Sequence, residues 1–279
     1  IANMGAEMGV TCSVFPSDNV TKKFLKAQSR EADWTLLKAD RGAKYDRVID
    51  LDLAAIEPMA ACPHSPGSVM KIAALAGKQV DQVCIGSCTN SSYTDMMTVS
   101  GILKGRRVHP GVSLGVAPGS RQVMQMMARK GVLANLLDAG ARILESACGF
   151  CIGNHFSPGS GGVSIRTSNR NFEARSGTAD AQVYLTSPEV AAVAAITGKF
   201  TDPRKAGIEY PAVKEPSSFL VDDSMFIKPS PEGAMTEVFR GPNIGEPPRA
   251  ERMPEKLNGA VMIVVGDKIT TDHIMPAGA

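Results

Sequence analysis

No long apolar run appears in this sequence. The longest apolar stretches, such as Val190 to Ile196, fall far short of the ~20 residues that span a bilayer. Net charge is almost absent too: 30 Lys and Arg against 28 Asp and Glu leave +2. That balance gives no support to nucleic-acid or acidic-membrane binding, which need clustered positive charge. The opening residues hold no basic stretch feeding an apolar one, so no secretory leader is read in them. Six cysteines are too few and too scattered for a secreted disulfide scaffold. Their usage points to a reducing compartment, cytoplasmic or, in a eukaryote, the mitochondrial matrix. What is present is globular: 279 residues, 43% hydrophobic and 21% charged, with 27 Gly and 18 Pro. This excludes collagen-like, coiled-coil and wholly disordered chains. The length suits about two domains.

Apolar groups recur at helical spacing over residues 20–38, and residues 48–53 alternate Ile49, Leu51 and Leu53 against Asp50 and Asp52, the pattern of a half-buried strand. A turn-rich stretch over 57–68 marks a domain boundary. From 69 to 200, strands and helices alternate. Strands are expected at 80–85, 112–116, 141–144, 163–165 and 182–185, with helices at 93–103, after Ser120, over 133–137 and after Ser187. Ser187 stands as N-cap, Pro188 at the first helical position, and Gly198 closes that helix. The alternation predicts an α/β fold with a mostly parallel sheet covered on both faces. Nine of the 18 prolines fall within 201–256, read as a long ordered linker, and Val261 to Val265 is expected to be a buried strand opening another domain.

Cys88 follows an expected strand. So do Cys148 and Cys151, and so does the run Asn169-Arg170-Asn171. In an open parallel sheet, ligands bind beyond the carboxyl ends of the strands. Three loops therefore carry three cysteines and a guanidinium to one edge. A disulfide oxidoreductase needs only the C-x-x-C pair and leaves Cys88 idle. Structural zinc needs four ligands, and no His stands at zinc-finger spacing; His155 is the nearest candidate. An iron–sulfur cluster takes thiolates from a C-x-x-C pair plus a distant cysteine. A 4Fe–4S cluster on three cysteines leaves one iron to act as a Lewis acid toward a substrate oxygen.

Five runs then resemble the aconitase family, in its order: Asn3-Met-Gly-Ala-Glu7, Gly86-Ser-Cys-Thr-Asn-Ser-Ser-Tyr93, Cys148-Gly-Phe-Cys-Ile-Gly153, Ser168-Asn-Arg-Asn-Phe172 with Arg175, and Thr270-Thr-Asp-His-Ile274. The resemblance implies aconitase-like three-layer α/β domains. Residues 1–60 would end the second domain, 61–200 would form the third and carry the cluster cysteines, 201–256 would be the linker, and 257–279 would open a swivelling domain. It implies a 4Fe–4S cluster on Cys88, Cys148 and Cys151, substrate carboxylates on Arg170 and Arg175, catalytic roles for Glu7 and Asp272, and active-site support from Asn3, Asn169 and Ile152. The implied reaction is reversible dehydration and rehydration of a hydroxy-tricarboxylate, citrate to isocitrate through an alkene; a related isopropylmalate or homoaconitate isomerase is the alternative. Phe150 departs from the family, which usually has Pro between the paired cysteines. The family's Asp-Ser-His run, its serine base and a further substrate arginine find no match between residues 1 and 279. The rest of the same polypeptide is therefore the expected partner, and these residues are expected to hold a cluster without turning over.

The plainer readings differ. Cys84, in an apolar strand, is expected to be buried packing, and Cys12 and Cys62 inert. An electron-transfer protein would recruit Cys84 or Cys62 as a fourth ligand. A cluster-free RNA-binding form would need clustered Lys and Arg, which the charge balance does not back.

Overall fold

A computed structural model describes residues 2–267, 269 and 271–274. They separate into two compact units, Ile1–Val221 with Thr270–Ala279, and Asp222–Ile269. Among the described residues no helix is long and apolar enough to cross a membrane.

In the first unit, α1 (Asn19–Ala27) is capped by Asp18, whose Oδ1 accepts from the Val20 and Thr21 amides. The helical spacing read over 20–38 is thus split between this helix and a single turn at Glu31–Asp33. Strands β1 (Met59–Ala61) and β2 (Val69–Lys71) and the short α2 (Ile72–Leu75) follow. The alternating region then runs β3 (Gln82–Gly86), α3 (Tyr93–Leu103), β4 (Ser113–Ala117), α4 (Arg121–Arg129), α5 (Val132–Ala139) and β5 (Arg142–Ile143). It closes with β6 (Val163–Arg166), β7 (Gln182–Leu185) and α6 (Pro188–Thr197), while α7 (Thr271–Ile274) also belongs to this unit. Local chemistry sets the helix starts. Ser92 and Asp95 form a capping box on α3, and Ser120 caps α4. Ser187 caps α6, with Pro188 in its first turn and Gly198 at its end.

The seven strands form one sheet in the order β2-β1-β7-β6-β3-β4-β5. Strands β7 to β5 run parallel, and β1 is antiparallel to both its neighbours. Side chains alternate across this sheet. On one face Val83, Ile85, Leu114, Val116, Ile165 and Tyr184 meet α3, α4, α5 and α6 in the main core. Helix α6 is buried from Val190 to Ala195, and its small alanines let it lie close against α3 and β3. The opposite face presents Gln82, Cys84, Gly115, Ala117, Ser164 and Arg166. It is covered by the connection from β5 to β6, which lays Phe150, Phe156 and Leu144 against Cys84 and Ala117. Gly115 makes that cover possible, because a Cβ there would stand 2.7 Å from the Phe156 ring and 2.8 Å from Leu144.

Two expected strands are not formed. Residues 48–53 are exposed, with Leu51 at 67%, and Asp52 instead caps a single turn at Leu53–Ala55. Residues 261–265, in the second unit, are exposed as well, with Met262 at 91%. The reason is the same for both. Alternation or β-branching makes a segment able to pair, but a strand exists only with a neighbour to take its backbone hydrogen bonds, and no described strand lies beside either segment. The second unit, considered alone, holds a short helical turn at Gly233–Met235, further turns closed by the Phe226 and Ile244 amides, and an ion pair between Arg240 and Glu246. Its prolines lack the N–H that regular elements require.

Candidate active site

The order of the parallel strands reverses beside β3. The chain leaves β3 toward β4 on one side and leaves β6 toward β7 on the other, so the carboxyl ends of β3 and β6 flank a crevice. Cys88 lies in the loop after β3, and Asn169 and Arg170 lie in the loop after β6.

The β3 loop begins with a close backbone approach. Gly86 has φ +138°, and a Cβ there would fall 2.2 Å from the Ala117 carbonyl oxygen, so only glycine fits. Thr167 then locks the loop to β6. Its Oγ1 accepts from the Gly86 amide at 2.8 Å and donates to the Gly86 carbonyl at 2.9 Å. The Thr167 carbonyl accepts from Asn90 Nδ2 at 2.8 Å and from Ser87 Oγ at 3.2 Å. Cys88 emerges exposed at the tip of this braced loop. Asn3 reaches it from the N-terminal turn: its Nδ2 donates to the Cys88 carbonyl at 2.8 Å, and its Oδ1 lies 3.5 Å from the thiol.

The paired cysteines arrive from β5. The turn Phe150–Ile152 buries Phe150 and Cys151 and leaves Cys148 exposed and Ile152 half-buried. Cys88, Cys148 and Cys151 together line one cavity of about 140 Å³, with Pro118, Gly119 and Ser146 also in its wall. His155 does not face it; it lines a neighbouring cavity of about 250 Å³. Among the described residues no three His, Cys, Asp or Glu side chains converge on a single ion. Three thiols spread around one cavity suit a group with several metal atoms, in which each thiolate holds a different one. The donor set therefore fits an iron–sulfur cluster better than a lone cation.

Charged side chains gather on the loop after β6. Glu7, whose side chain is 5% exposed, pairs through Oε1 with Arg170 Nε and lies 3.5 Å from Asn169 Nδ2. Its Oε2 is buried and accepts no hydrogen bond among the described residues. Arg175 Nη2 lies 3.9 Å from Cys151 Sγ. Asn171, buried, holds the loop by donating to the carbonyls of Cys62 and Val183. Asp272 lies in α7, and its side chain is outside the described residues; the neighbouring His273 ring stands 6.5 Å from Phe172.

Cys84 is fully buried between Ala117, Phe150 and Phe156, and burial pushes its thiol up to about 11. A thiol so hard to ionise is a poor ligand, and it does not line the shared cavity. Sequence reasoning passed over Thr167 and Arg166. Arg166 could have been found, because period two puts Ser164 and Arg166 on the same face of a strand that is otherwise apolar.

Comparison with known proteins now bears on this geometry. The profile described as "Aconitase family (aconitate hydratase)" matches residues 1–79 and 73–198. The chain is 40% identical over 206 residues to the 3-isopropylmalate dehydratase large subunit 2 of Archaeoglobus fulgidus, covering 74% of this chain and 50% of that protein. It is 39% identical over 208 residues to the large subunit 1 of Thermotoga maritima, covering 74% and 50%. A third relative, the large subunit of Clostridium botulinum strain Alaska E43, is 39% identical over 204 residues, covering 73% and 48%. The chain spans about half the length of the curated relatives it matches. With this match over both the N-terminal turns and the sheet that carries the three thiols, the chain belongs to the aconitase family.

Proposed function

We propose that this chain is the cluster-bearing part of a hydro-lyase that moves a hydroxyl between adjacent carbons of a hydroxy-dicarboxylate of the isopropylmalate type. The observation that carries the reading is the cavity shared by Cys88, Cys148 and Cys151, with Arg175 against Cys151 and Arg170 tied to Glu7. Those three cysteines would hold a 4Fe–4S cluster. When bound, a cluster with one iron not held by protein supplies a Lewis acid to the substrate hydroxyl.

The side chains do the rest. Arg170 and Arg175 offer planar forks to the two carboxylates, which fixes the carbon chain between them. Glu7 is held by Arg170 through one oxygen, and its other oxygen, buried and without a donor among the described residues, would take a hydrogen bond from the reacting hydroxyl. Asn169 steadies the same carboxylate, Asn3 braces the Cys88 loop, Ile152 adds an apolar wall, and Asp272 would complete the acid–base set. The reaction removes a proton from the carbon beside a carboxylate and the hydroxyl from its neighbour, then returns both in exchanged positions.

The relatives are named 3-isopropylmalate dehydratase large subunits. That supports an isopropylmalate-type substrate, and a separate smaller subunit as partner, over the expectation of citrate and a single longer polypeptide. One observation favours the citrate reading: residues 199–279 lie outside the matched region, and they contain the Thr270-Thr-Asp-His-Ile274 run.

The test is anaerobic loading with iron and sulfide. The expected result is about four irons per chain and a three-iron paramagnetic signal after mild oxidation. Addition of 2-isopropylmalate, and not citrate, is expected to perturb the reduced-cluster signal. A chain that takes up no cluster would overturn the proposal; a response to citrate alone would return the substrate to the tricarboxylate.

A further inference from the structure

Among the described residues Arg166 is the largest fully buried side chain, at 1% exposure. It lies on β6, on the sheet face turned away from the helices. Four hydrogen bonds leave its guanidinium, and each of them ends on a neutral oxygen. Nε donates to Ser164 Oγ at 3.1 Å, and Nη2 to Gln82 Oε1 at 3.1 Å and to the Phe156 carbonyl at 3.2 Å. Nη1 donates to the Phe150 carbonyl, and the guanidinium lies 5.9 Å from the Phe150 ring centre.

Two features of this arrangement need a reason. The first is where the bonds go. Two of them end on backbone carbonyls at either side of Cys151, and the other two end on β3 and β6 side chains. Ser164 Oγ also donates to Gln82 Oε1 at 2.9 Å, which makes the sheet side of the clamp rigid. The connection from β5 to β6 contains no α-helix or strand, so its cysteine-bearing turn is tied to the sheet by this clamp, by Gln82 Nε2 donating to the Ser157 carbonyl at 2.9 Å, and by the packing of Phe150 and Phe156 on Cys84 and Ala117. The second is the charge. Burying a cation among neutral oxygens is expensive unless an anion lies near. The thiolates that would hold a cluster are such anions, and Cys151 sits on the turn that Arg166 grips.

We propose that Arg166 is a positioning residue. It fixes the Cys148–Cys151 turn over the sheet and places a permanent buried positive charge beside the turn whose thiolates would hold the cluster. The charge would favour the more reduced, more negative state of that group, because net charge and hydrogen bonding near a cluster set its potential. Lysine could keep the charge but not the fork, since one ammonium cannot span carbonyls on both sides of Cys151. Glutamine would lose both. The charge half of this inference rests on the cluster reading above; the clamp half does not.

The experiment compares wild-type protein with Arg166→Lys and Arg166→Gln, each checked for folding by circular dichroism. In cluster-free protein, alkylation of each cysteine by iodoacetamide is followed by peptide mass. Cys151 is expected to react about tenfold faster or more in both variants, as the turn loses hydrogen bonds from a charged donor. Cys12, an exposed thiol that takes no part in the clamp, is expected to be unchanged. In cluster-loaded protein, the midpoint potential is expected to fall in Arg166→Gln and to stay near wild type in Arg166→Lys. A merely structural role would not separate the two variants in this way. Equal Cys151 reactivity in all three proteins overturns the clamp, and equal potentials overturn the charge. If Arg166→Gln does not fold, Arg166→Lys alone decides the clamp by its Cys151 rate, and a Lys potential far below wild type overturns the charge. If wild-type protein loads no cluster, the proposed function fails, while the alkylation rates still decide the clamp.

Discussion

Replacing Thr167 by valine tests whether the crevice between β3 and β6 is held as described. Valine has nearly the shape of threonine, so the change removes a hydroxyl without leaving a large cavity. Two buried hydrogen bonds disappear, one from the Gly86 amide at 2.8 Å and one to the Gly86 carbonyl at 2.9 Å. The carbonyl bond is worth about 1 kcal/mol net, and a buried amide left without an acceptor costs about 1–3 kcal/mol. The Gly86 amide is buried, so water does not readily replace the lost acceptor. The expected loss is therefore about 2–4 kcal/mol. Urea unfolding followed by circular dichroism reads it as a midpoint lower by about 1 M with an unchanged slope. Thr167→Ser keeps the hydroxyl and is expected to recover most of the loss. A valine variant within about 0.5 kcal/mol of wild type would refute the bracing role. So would a serine variant as damaged as the valine one.

Other consequences concern the packed face and the titrating groups. Burial pushes the Cys84 thiol up from 9.0 to about 11, so the unfolded chain ionises first as pH rises. The stability this contributes is whole below pH 9, and about 2–3 kcal/mol of it is lost by about pH 11; Cys84→Ala is expected to remove that alkaline slope in pH-dependent unfolding of cluster-free protein. Gly115→Val pushes a side chain into Phe156 and Leu144 and is expected to destabilise by about 1–3 kcal/mol in the same unfolding assay. Arg204, by hydrogen bonding, holds the Asp202 carboxyl below the usual carboxylate range. Its contribution is whole above about pH 4 and is lost as pH falls through the lowered value, so Asp202→Asn is expected to flatten the acid limb of the stability profile.

Much of the sheet was legible in the sequence because its signals are local. Helix α3 spans 93–103 and β7 spans 182–185 as read, and α6 carries the expected cap, proline and terminal glycine. The strands at 48–53 and 261–265 were misread for a non-local reason. Pairing partners decide whether a pleated pattern becomes a strand, and a residue pattern does not report them. The α1 region shows a milder form of the same limit: the apolar spacing continues past Ala27, but the chain turns at Gln28–Ser29 and the spacing no longer shares one face.

The candidate site divides along the same line. That three cysteines meet could be argued from strand ends alone, because in a parallel sheet every β-to-α loop opens at one edge. What holds them there could not. Cys88 is held by Thr167, 79 positions later in the chain, and the paired turn by Arg166, 15 positions after Cys151. Both residues are in or directly after β6, the strand beside the switch point. One is a hydroxyl turned to the β3 loop, and the other is a guanidinium turned to the β5 connection. The two cysteine-bearing segments never bond to each other in the contacts described; each is referred to the same strand. A perturbation of β6 should therefore disturb Cys88 and Cys151 together, whereas a change within either loop should disturb only its own thiol.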